Sequence, residues 1–130
     1  MQKSIFNITL LVKNYDEAIN FYVDRLNFDL IEDTKLSPTK RWVRVSPKGT
    51  EGACLLLAQA TSQEQVDQIG NQSGGRVFLF LSTDDIQRDL VNLNKNDIQI
   101  ISPLREEPYG KVLVFADLYG NKWDLIQSND

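Results

Sequence analysis

One carboxylate in this sequence has an unusual setting for a charged group. Asp124 stands in the apolar run from Trp123 to Gln127, whose alternation predicts a strand. A charge buried there without a partner would cost several kcal/mol, on the order of the penalty for an unpaired buried ion. Asp124 is therefore expected to face either water or a polar cavity that contains a partner.

Arg44 is the candidate partner for this carboxylate. One hypothesis is an internal ion pair between Arg44 and Asp124. A second is a ligand site that both residues anchor, with Trp42, Phe78 and Phe80 as its walls. Exposure of both charges to solvent is the third possibility, and the residues alone leave all three open.

Groups suited to catalysis are few, because the chain contains no histidine. Asp124, Tyr109, Lys111 and Lys122 could transfer protons, but side chains of these types titrate far from neutral pH unless burial shifts them. Cys54 is the single cysteine, and its apolar neighbours favour a buried, inert thiol. No catalytic residue is assigned.

Strand and helix patterns place these residues on elements that recur in the same order. In the first half, strands are predicted at 4–12, 28–35, 41–47 and 53–60, with a helix at 15–26 that begins with a capping box. In the second half, a helix begins at Asp84 or Asp85, and strands are predicted at 76–82, 98–102, 111–117 and 122–127. Each half is thus predicted to be βαβββ, and the segment between them contains a possible short helix at 63–69.

A constant spacing relates the two halves. Gly49 and Gly120 are 71 residues apart, and the same spacing relates three other pairs of segments: 41–45 with 112–116, 27–30 with 98–101, and 7–14 with 78–85. This spacing predicts a two-fold internal repeat. It also predicts that Asn7 is equivalent to Phe78, and Trp42 to Leu113.

The third strand of each half predicts which side chains share a face of each sheet. The small or β-branched set is assigned to the helix side, namely Val43, Val45, Val114 and Ala116. The opposite side is assigned Trp42, Arg44, Leu113 and Phe115, together with Asn7, Thr9 and Asp124. Trp123 is expected in the helix–sheet core, and the two open faces are expected to enclose a cup.

Three segments resemble the vicinal oxygen chelate superfamily, which includes glyoxalase I, extradiol dioxygenases and the fosfomycin- and bleomycin-resistance proteins. They are NITLLVKNYDEAINFY, VFLFLSTDDI and DLYGNKWDLI, and the resemblance covers residues 5–127. It implies an α+β fold in which two βαβββ modules form a curved mixed-sheet cup with helices outside. It further implies a single glyoxalase-like domain over residues 1–130, made of module 1–60, connector 61–75 and module 76–130.

Metal-using members of this superfamily hold a divalent ion in the cup. The resemblance carries their ligand positions onto Asn7, Phe78, Asp124 and Leu55, the last with about two residues of uncertainty from an insertion at 50–52. Only Asp124 is a competent ligand, whereas a transition-metal site needs about three. Paired acids in loops are usually solvated, which applies to Glu32 with Asp33 and to Glu106 with Glu107. We therefore expect no metal and no cofactor.

The missing ligands favour the metal-free branch of the superfamily, in which the cup binds a small organic molecule. The expected ligand-binding residues are Asn7, Thr9, Trp42, Arg44, Phe78, Phe80, Tyr109, Phe115 and Asp124. The alternative is a lyase or isomerase of the glyoxalase type with a non-standard site. A third hypothesis is an interaction module whose cup is filled by its own side chains. Segment 105–110 is expected to be a lid over the cup or a kinked edge connection.

The charge of the chain limits its partners. A net charge of −4 and a pI near 4.8 argue against nucleic acid and anionic membranes. The sequence shows no signal-peptide pattern and no long apolar run, so a cytoplasmic location is expected. The resemblance implies a homodimer, because members of the superfamily commonly associate as dimers, and the open strand edge at 76–81 has no obvious gatekeeper charges.

Overall fold

The computed structural model describes residues 2–49 and 52–130. Across these residues the chain forms β1 (Asn7–Val12), α1 (Tyr15–Ile19), β2 (Asp29–Lys35), β3 (Arg41–Ser46), β4 (Cys54–Gln59), α2 (Gln63–Gln68), β5 (Val77–Ser82), α3 (Ile86–Lys95), β6 (Ile100–Glu107), β7 (Gly110–Ala116) and β8 (Lys122–Ser128). None of these helices has the length and apolar character that crossing a bilayer requires.

The strands form two four-stranded mixed sheets, one in each of two compact units, residues 1–69 and 70–130. The first has the order β1-β4-β3-β2 and the second the order β5-β8-β7-β6. In each, the outer strand β1 or β5 pairs in parallel and the remaining pairs are antiparallel. The predicted α+β fold with two βαβββ modules is confirmed.

The first helix begins as the sequence predicts, but its second half has a different hydrogen-bond pattern. Asn14 caps α1 by accepting the Glu17 N–H through Oδ1 at 3.0 Å. From Asn20 to Arg25 the helix is π-helical. Phe21 and Tyr22, consecutive in the chain, are both buried and pack edge to face with their ring centroids 5.1 Å apart.

Both main helices end in the same way. Asn27 follows the π-helical turn with φ 67°, and Asp97 follows α3 with φ 54°. These are left-handed conformations that Asn and Asp tolerate better than most residues, and they turn the chain toward the next strand. The matched endings are independent evidence for the internal repeat.

The helix-side face of each sheet forms the core. In the first unit the buried side chains of the strands include Leu10, Val12, Val43, Val45, Leu55 and Leu57. In the second they include Leu113, Phe115, Trp123 and Leu125. Phe115 stacks on Trp123 with centroids 5.9 Å apart and planes 7° apart, and each is almost fully buried. The expectation that Trp123 lies in the core is confirmed.

The predicted face assignment in β7 is wrong. Val114, not Leu113 or Phe115, lies directly opposite Asp124, whereas Phe115 is opposite Trp123. The assignment failed because the spacing between equivalent residues in the third strands is 70 rather than 71: Arg44 is opposite Leu56 as Val114 is opposite Asp124. A shift of one residue moves every side chain of a strand to the other face. Ala116, opposite Lys122, is therefore also on the Asp124 face.

The equivalences predicted from the constant spacing change accordingly. Trp42 is equivalent to Val112 rather than Leu113. Thr9 and Phe80 pair with Leu56 and Asp124 respectively, which makes Leu56 the first-unit equivalent of Asp124. Leu55, the position carried over by the resemblance, is one residue away. The predicted insertion at 50–52 includes Thr50 and Glu51, which lie outside the described residues.

Segment 105–110 is a β-hairpin. Residues 105–107 belong to β6, with Glu106 opposite Lys111 and Glu107 opposite Gly110, so the lid prediction is wrong for this part. The connection is a tight turn at Pro108 and Tyr109. Gly110 is required there, because a Cβ at this position would lie 2.3 Å from the Gln127 carbonyl oxygen.

A buried polar turn positions β8. The Asp117 Oδ1 accepts the backbone N–H groups of Tyr119 and Asn121, each at 2.9 Å, and Oδ2 accepts the Asn121 side-chain amide at 2.8 Å. Gly120 adopts φ 96° inside this turn. The DLYGN segment thus fixes the start of β8 and, four residues after Gly120, the position of Asp124.

Candidate functional site

The open face of the first sheet carries four of the predicted site residues. Pairing of Asn7 with Cys54, and of Leu56 with both Thr9 and Arg44, places these side chains on one side of the sheet. Trp42, two residues before Arg44 on β3, shares that side. The grouping of Asn7, Thr9, Trp42 and Arg44 on one face agrees with the prediction.

Arg44 is held by its neighbours on this face. Its Nε donates to the Asn7 Oδ1 at 2.9 Å, its Nη2 donates to the Cys54 Sγ at 3.3 Å, and its Nη1 lies 3.5 Å from the Glu32 Oε1. The Phe6 ring centroid is 5.9 Å from the guanidinium carbon. With only 20% of its side chain exposed, Arg44 is a part-buried cation with partners on three strands and a ring beside it.

Cys54 is buried, as the sequence predicts. Its sulfur faces Arg44 rather than a purely apolar core.

The open face of the second sheet is organised around Asp124. Phe80 on β5 is its neighbour on one side and Val114 on β7 its neighbour on the other. Phe80 is 68% exposed, an unusual state for a phenylalanine in mid-strand. Pairing of β6 with β7 adds Ser102, opposite Val114, and Arg105, opposite Val112, to the same side.

The Asp124 carboxylate accepts no hydrogen bond from any described residue, and its Oδ1 is buried. Burial raises its pKa above the ordinary carboxyl value, and the positive charge of Arg105 opposes that rise. Arg105 acts through space, because its Nε donates to the Glu107 Oε1 at 2.8 Å and its Nη1 to the Ser102 Oγ at 3.3 Å.

The remaining predicted site residues lie in the second unit. Phe78 is half-buried at an irregularity of β5 between Val77 and Leu79. Tyr109 is exposed in the β6–β7 turn, and Phe115 lies in the core instead of the open face. Among the proton-transfer candidates, Lys122 donates its Nζ to the Gly75 carbonyl oxygen at 3.1 Å. The ion pair between Arg44 and Asp124 stays a prediction.

Sequence reasoning missed the cluster of Ser102, Arg105 and Glu107, which we call the β6 cluster. It assigned Arg105 and Glu107 to a loop. Two irregularities, between Ile100 and Ser102 and between Ser102 and Arg105, disrupt the strict alternation that identifies a strand. One feature of the sequence could have predicted this longer strand. The polar residues continue up to a Pro-Tyr-Gly turn, which closes a hairpin.

The donors present do not fit the divalent metal that the sequence resemblance brings into question. Among residues 2–49 and 52–130, no three Cys, Asp or Glu side chains lie where they could share an ion. The carried-over ligand positions supply only Asp124 and the Asn7 amide, and the latter is bonded to Arg44. Three acids that could have added oxygens already pair with arginines: Glu32 with Arg44, Asp33 with Arg41, and Glu107 with Arg105.

A polar cavity of about 540 Å³ lies elsewhere in the first unit, at the start of α1. Its lining residues include Asn14, Asp16, Lys35, Thr39, Arg41 and Gln59. The Arg41 guanidinium beside it is engaged by Asp33 through two hydrogen bonds, of 3.1 and 2.7 Å, and by Asp16 at 2.8 Å. Because Arg41 and Asp16, two of the charged side chains in this lining, already pair with each other, we take the Asp124 face as the candidate site.

Similar proteins support the fold assignment. An uncharacterized protein of Shewanella frigidimarina (strain NCIMB 400) is 57% identical over 131 aligned residues, which cover 100% of this chain and 97% of that protein. The solved structure of UcmS2 has a TM-score of 0.83 at 22% identity, and the match covers 97% of this chain and 98% of UcmS2. That of TnmS3, described as an antibiotic binding protein from Streptomyces sp. CB03234, has a TM-score of 0.79 at 26% identity and covers 98% of each chain.

A family model gives the classification. It describes the Glyoxalase/Bleomycin resistance protein/Dioxygenase superfamily and matches residues 4–125, a range that includes all eight described strands except the end of β8. The two βαβββ units are the architecture expected from the sequence resemblance. The chain therefore belongs to the glyoxalase/bleomycin resistance protein/dioxygenase superfamily.

Proposed function

We propose that the protein binds a small organic molecule, without a metal ion, on the open face around Asp124. The observation that carries this proposal is the carboxylate itself, which has a buried oxygen and no hydrogen-bond donor among the described residues. A buried acceptor without a donor costs about 1–3 kcal/mol, and more if it is charged. A ligand N–H or O–H group placed at Asp124 would remove that cost.

The surroundings of Asp124 suit an organic ligand. The exposed ring of Phe80 and the apolar side chain of Val114 flank the carboxylate in register. Sites for small molecules are mostly apolar, with a few polar groups that fix orientation. Phe78 is proposed as a further wall, and Tyr109 as a contact at the hairpin turn. Asn7, Thr9, Trp42 and Arg44 are proposed as ligand-binding residues on the open face of the first sheet.

TnmS3 supports the ligand class, since it is an antibiotic binding protein and is 26% identical to this chain over nearly the full length of both. We extend that property as a proposal only: the ligand is an organic molecule of antibiotic type. The single-domain organisation (module 1–60, connector 61–75, module 76–130), the cytoplasmic location and the homodimer are proposed with it. A light-scattering mass near twice the chain mass of 14.9 kDa would support the dimer.

A second function has one observation in its favour. The raised pKa of Asp124 is a property of some general bases, which would suit a lyase or isomerase of the glyoxalase type. This alternative requires turnover, whereas the binding function requires only a complex. Product formation from a bound ligand, lost in Asp124→Asn, would favour the enzyme.

Thermal melting with a set of aromatic and heterocyclic compounds, with and without EDTA, tests the binding proposal. A ligand that binds only the folded state should raise Tm, and EDTA should leave that rise unchanged. Asp124→Asn and Phe80→Ala should reduce it. Val91→Ala, a matched control that removes an exposed apolar side chain from α3, should retain it. Dependence of the rise on a divalent metal, or equal rises in all variants, would overturn the proposal.

A further inference from the structure

We infer that the molecule bound at Asp124 carries a protonated nitrogen attached to a flat apolar group, so that the carboxylate binds the cation and Phe80 packs on the flat group. This inference rests on the proposed binding function. It adds the charge and shape of the ligand.

The charges on this face favour a cation. Arg105 is the positive group that acts on Asp124, but its guanidinium is paired with Glu107 at 2.8 Å and tied to Ser102. The charges of Arg105 and Glu107 offset each other, which leaves the negative charge of Asp124 without a contacting partner in the part of the chain that the structure describes. Lys122, two residues earlier on the same face, donates instead to the Gly75 carbonyl oxygen. A cationic ligand would complete the charge balance of the face.

The hydrogen-bonding capacity of the Asp124 carboxylate also favours a cationic ligand. No described residue donates to either oxygen of Asp124, and the side chain is half-buried rather than fully enclosed. A ligand ammonium brings up to three N–H donors together with a charge, whereas a hydroxyl brings one donor and no charge. A hydrogen bond is roughly twice as strong when its donor or acceptor is ionised as when both are neutral. With an ammonium both groups are ionised, so the attraction between opposite charges adds to the hydrogen bond. An anionic ligand would meet Asp124 with like charge and would have to displace Glu107 from Arg105.

The exposed ring of Phe80 is the reason for proposing a flat apolar group in the ligand. Its ring is largely exposed and belongs to the residue paired with Asp124 in the parallel β5–β8 ladder. Flat molecules stack on such a ring, and a cation within about 6 Å of its centroid gains a further attraction. A ligand whose positive nitrogen adjoins a flat ring system can therefore use both neighbours at once.

Three probes of nearly equal shape separate charge from shape: 1-naphthylmethylammonium, 1-naphthalenemethanol and 1-naphthoate. Titrations of the full chain, followed by ¹H–¹⁵N NMR at pH 7, would give a Kd for each and show whether the amides of β5 and β8 respond. The ammonium is expected to bind about tenfold more tightly than the alcohol, as for one charge-assisted contact, and the naphthoate least. Asp124→Asn should remove the difference between ammonium and alcohol.

A pair of glutamate variants tests the charge balance without changing Asp124. Glu107→Gln removes the negative charge that offsets Arg105, so the positive charge of Arg105 acts unopposed near Asp124 and should weaken ammonium binding several-fold. Glu106→Gln makes the same chemical change on the opposite face of β6, next to Lys111 in register, and should leave binding unchanged. Equal affinities for ammonium and alcohol, or equal effects of the two variants, would overturn the inference and leave the proposed binding function standing. Absence of binding by all three probes would also overturn it, and the EDTA-controlled compound set then decides the proposed function separately.

Discussion

The open faces of the two sheets have the same strand pairing but differ in how their central polar groups are bonded. On the first, Arg44 lies opposite Leu56 and is bonded to Asn7, Cys54 and Glu32. On the second, the equivalent of Leu56 is Asp124, which no described residue bonds. The same strand pairing therefore carries an arginine with three polar partners in the first unit. In the second unit it carries a carboxylate that accepts no hydrogen bond from any described residue. The comparison shows that a repeat can keep its strand pairing while the central polar group of one copy, Arg44, is bonded and that of the other, Asp124, accepts no hydrogen bond from any described residue.

The helix-side faces differ much less. Val43 and Val45 are fully buried in the first unit, and their equivalents Leu113 and Phe115 are fully buried in the second. Packing therefore constrains both copies alike, and the divergence is confined to the side of each sheet that does not form the core.

The largest effect is expected from truncation of this shared core. Phe115→Ala should lower the free energy of unfolding by about 3–5 kcal/mol, because it removes a fully buried ring stacked on Trp123. The measurement is urea denaturation followed by circular dichroism. The control is Val114→Ala, one residue earlier on the opposite face, which should cost less than half as much. Equal costs would mean that the face assignment of β7 is wrong.

Removal of Arg44, which has three polar partners, should have the next largest effect on stability. Arg44→Met is expected to cost about 1–3 kcal/mol, because it leaves the part-buried Asn7 and Cys54 without their donor. Arg76→Met, at an exposed arginine with no ion pair among the described residues, is the control and should cost under about 0.5 kcal/mol. A double variant with Asp124→Asn tests the open ion-pair hypothesis, since non-additive costs would show that the two residues interact.

Removal of the unsatisfied charge should have the opposite consequence. Asp124→Asn is expected to leave stability at pH 7 within about 1 kcal/mol of wild type, or to raise it, because no hydrogen-bond donor loses its partner. The pH dependence has a defined sign. Burial raises the pKa of Asp124 in the folded state above the ordinary 3.8, so its protonation favours folding at low pH. That contribution is fully present below 3.8 and is lost as pH rises through the raised pKa.

Denaturation of wild type and Asp124→Asn, from below pH 3.8 up to neutral pH, would show whether stability falls or rises with pH. Asp130→Asn, which changes an exposed carboxylate, is the control. Wild type should lose stability relative to the asparagine variant as pH rises. A change in the other direction would show that Asp124 has a strong cationic partner in the folded protein.

The smallest effect is expected at a surface pair that belongs to neither open face. Asp33→Asn removes the negative charge and one of the two oxygens that accept hydrogen bonds from Arg41, but it should cost no more than about 1 kcal/mol, because the pair is only partly shielded from solvent. The hydrogen bond from Arg41 lowers the pKa of Asp33, so its contribution is present above the ordinary 3.8 and is lost as pH falls through the lowered pKa. Unfolding at low and high salt would check it: the effect should shrink with salt, whereas that of Arg44→Met should persist.

Much of the fold could be predicted from the sequence, since its causes are local. Alternation located the strands to within a few residues except for β6, and the Asn14 capping box located the start of α1. The face of β7 could not be predicted, because it depends on a one-residue change in spacing that arises within the helices. The N-caps Asn14 and Asp85 are 71 residues apart, whereas the left-handed residues Asn27 and Asp97 after the helices are 70 apart. The first helix is π-helical over Asn20–Arg25, and hydrophobic periodicity did not indicate this change.

The candidate site was only partly predictable for a related reason. The sequence singled out Asp124, because a carboxylate in an apolar strand needs an explanation, and it named Phe80 as a wall. It could not identify Asn7 and Cys54 as partners of Arg44, since those contacts form across strands distant in the chain. The β6 cluster was hidden by the irregular pairing of β6 with β7, in which β6 extends beyond its predicted end.

Gly70 has a consequence for any attempt to divide the protein into fragments. With φ 78°, it lies so close to the Tyr119 carbonyl that a Cβ at residue 70 would be 2.0 Å from that oxygen. The chain segment before β5 is therefore packed on the DLYGN turn, well before the first strand of the second unit begins. A fragment starting at residue 76, where the sequence alone suggests the second module starts, would expose the backbone of that turn. A fragment starting at residue 70 would keep it covered and is the better choice for asking whether the second unit folds alone.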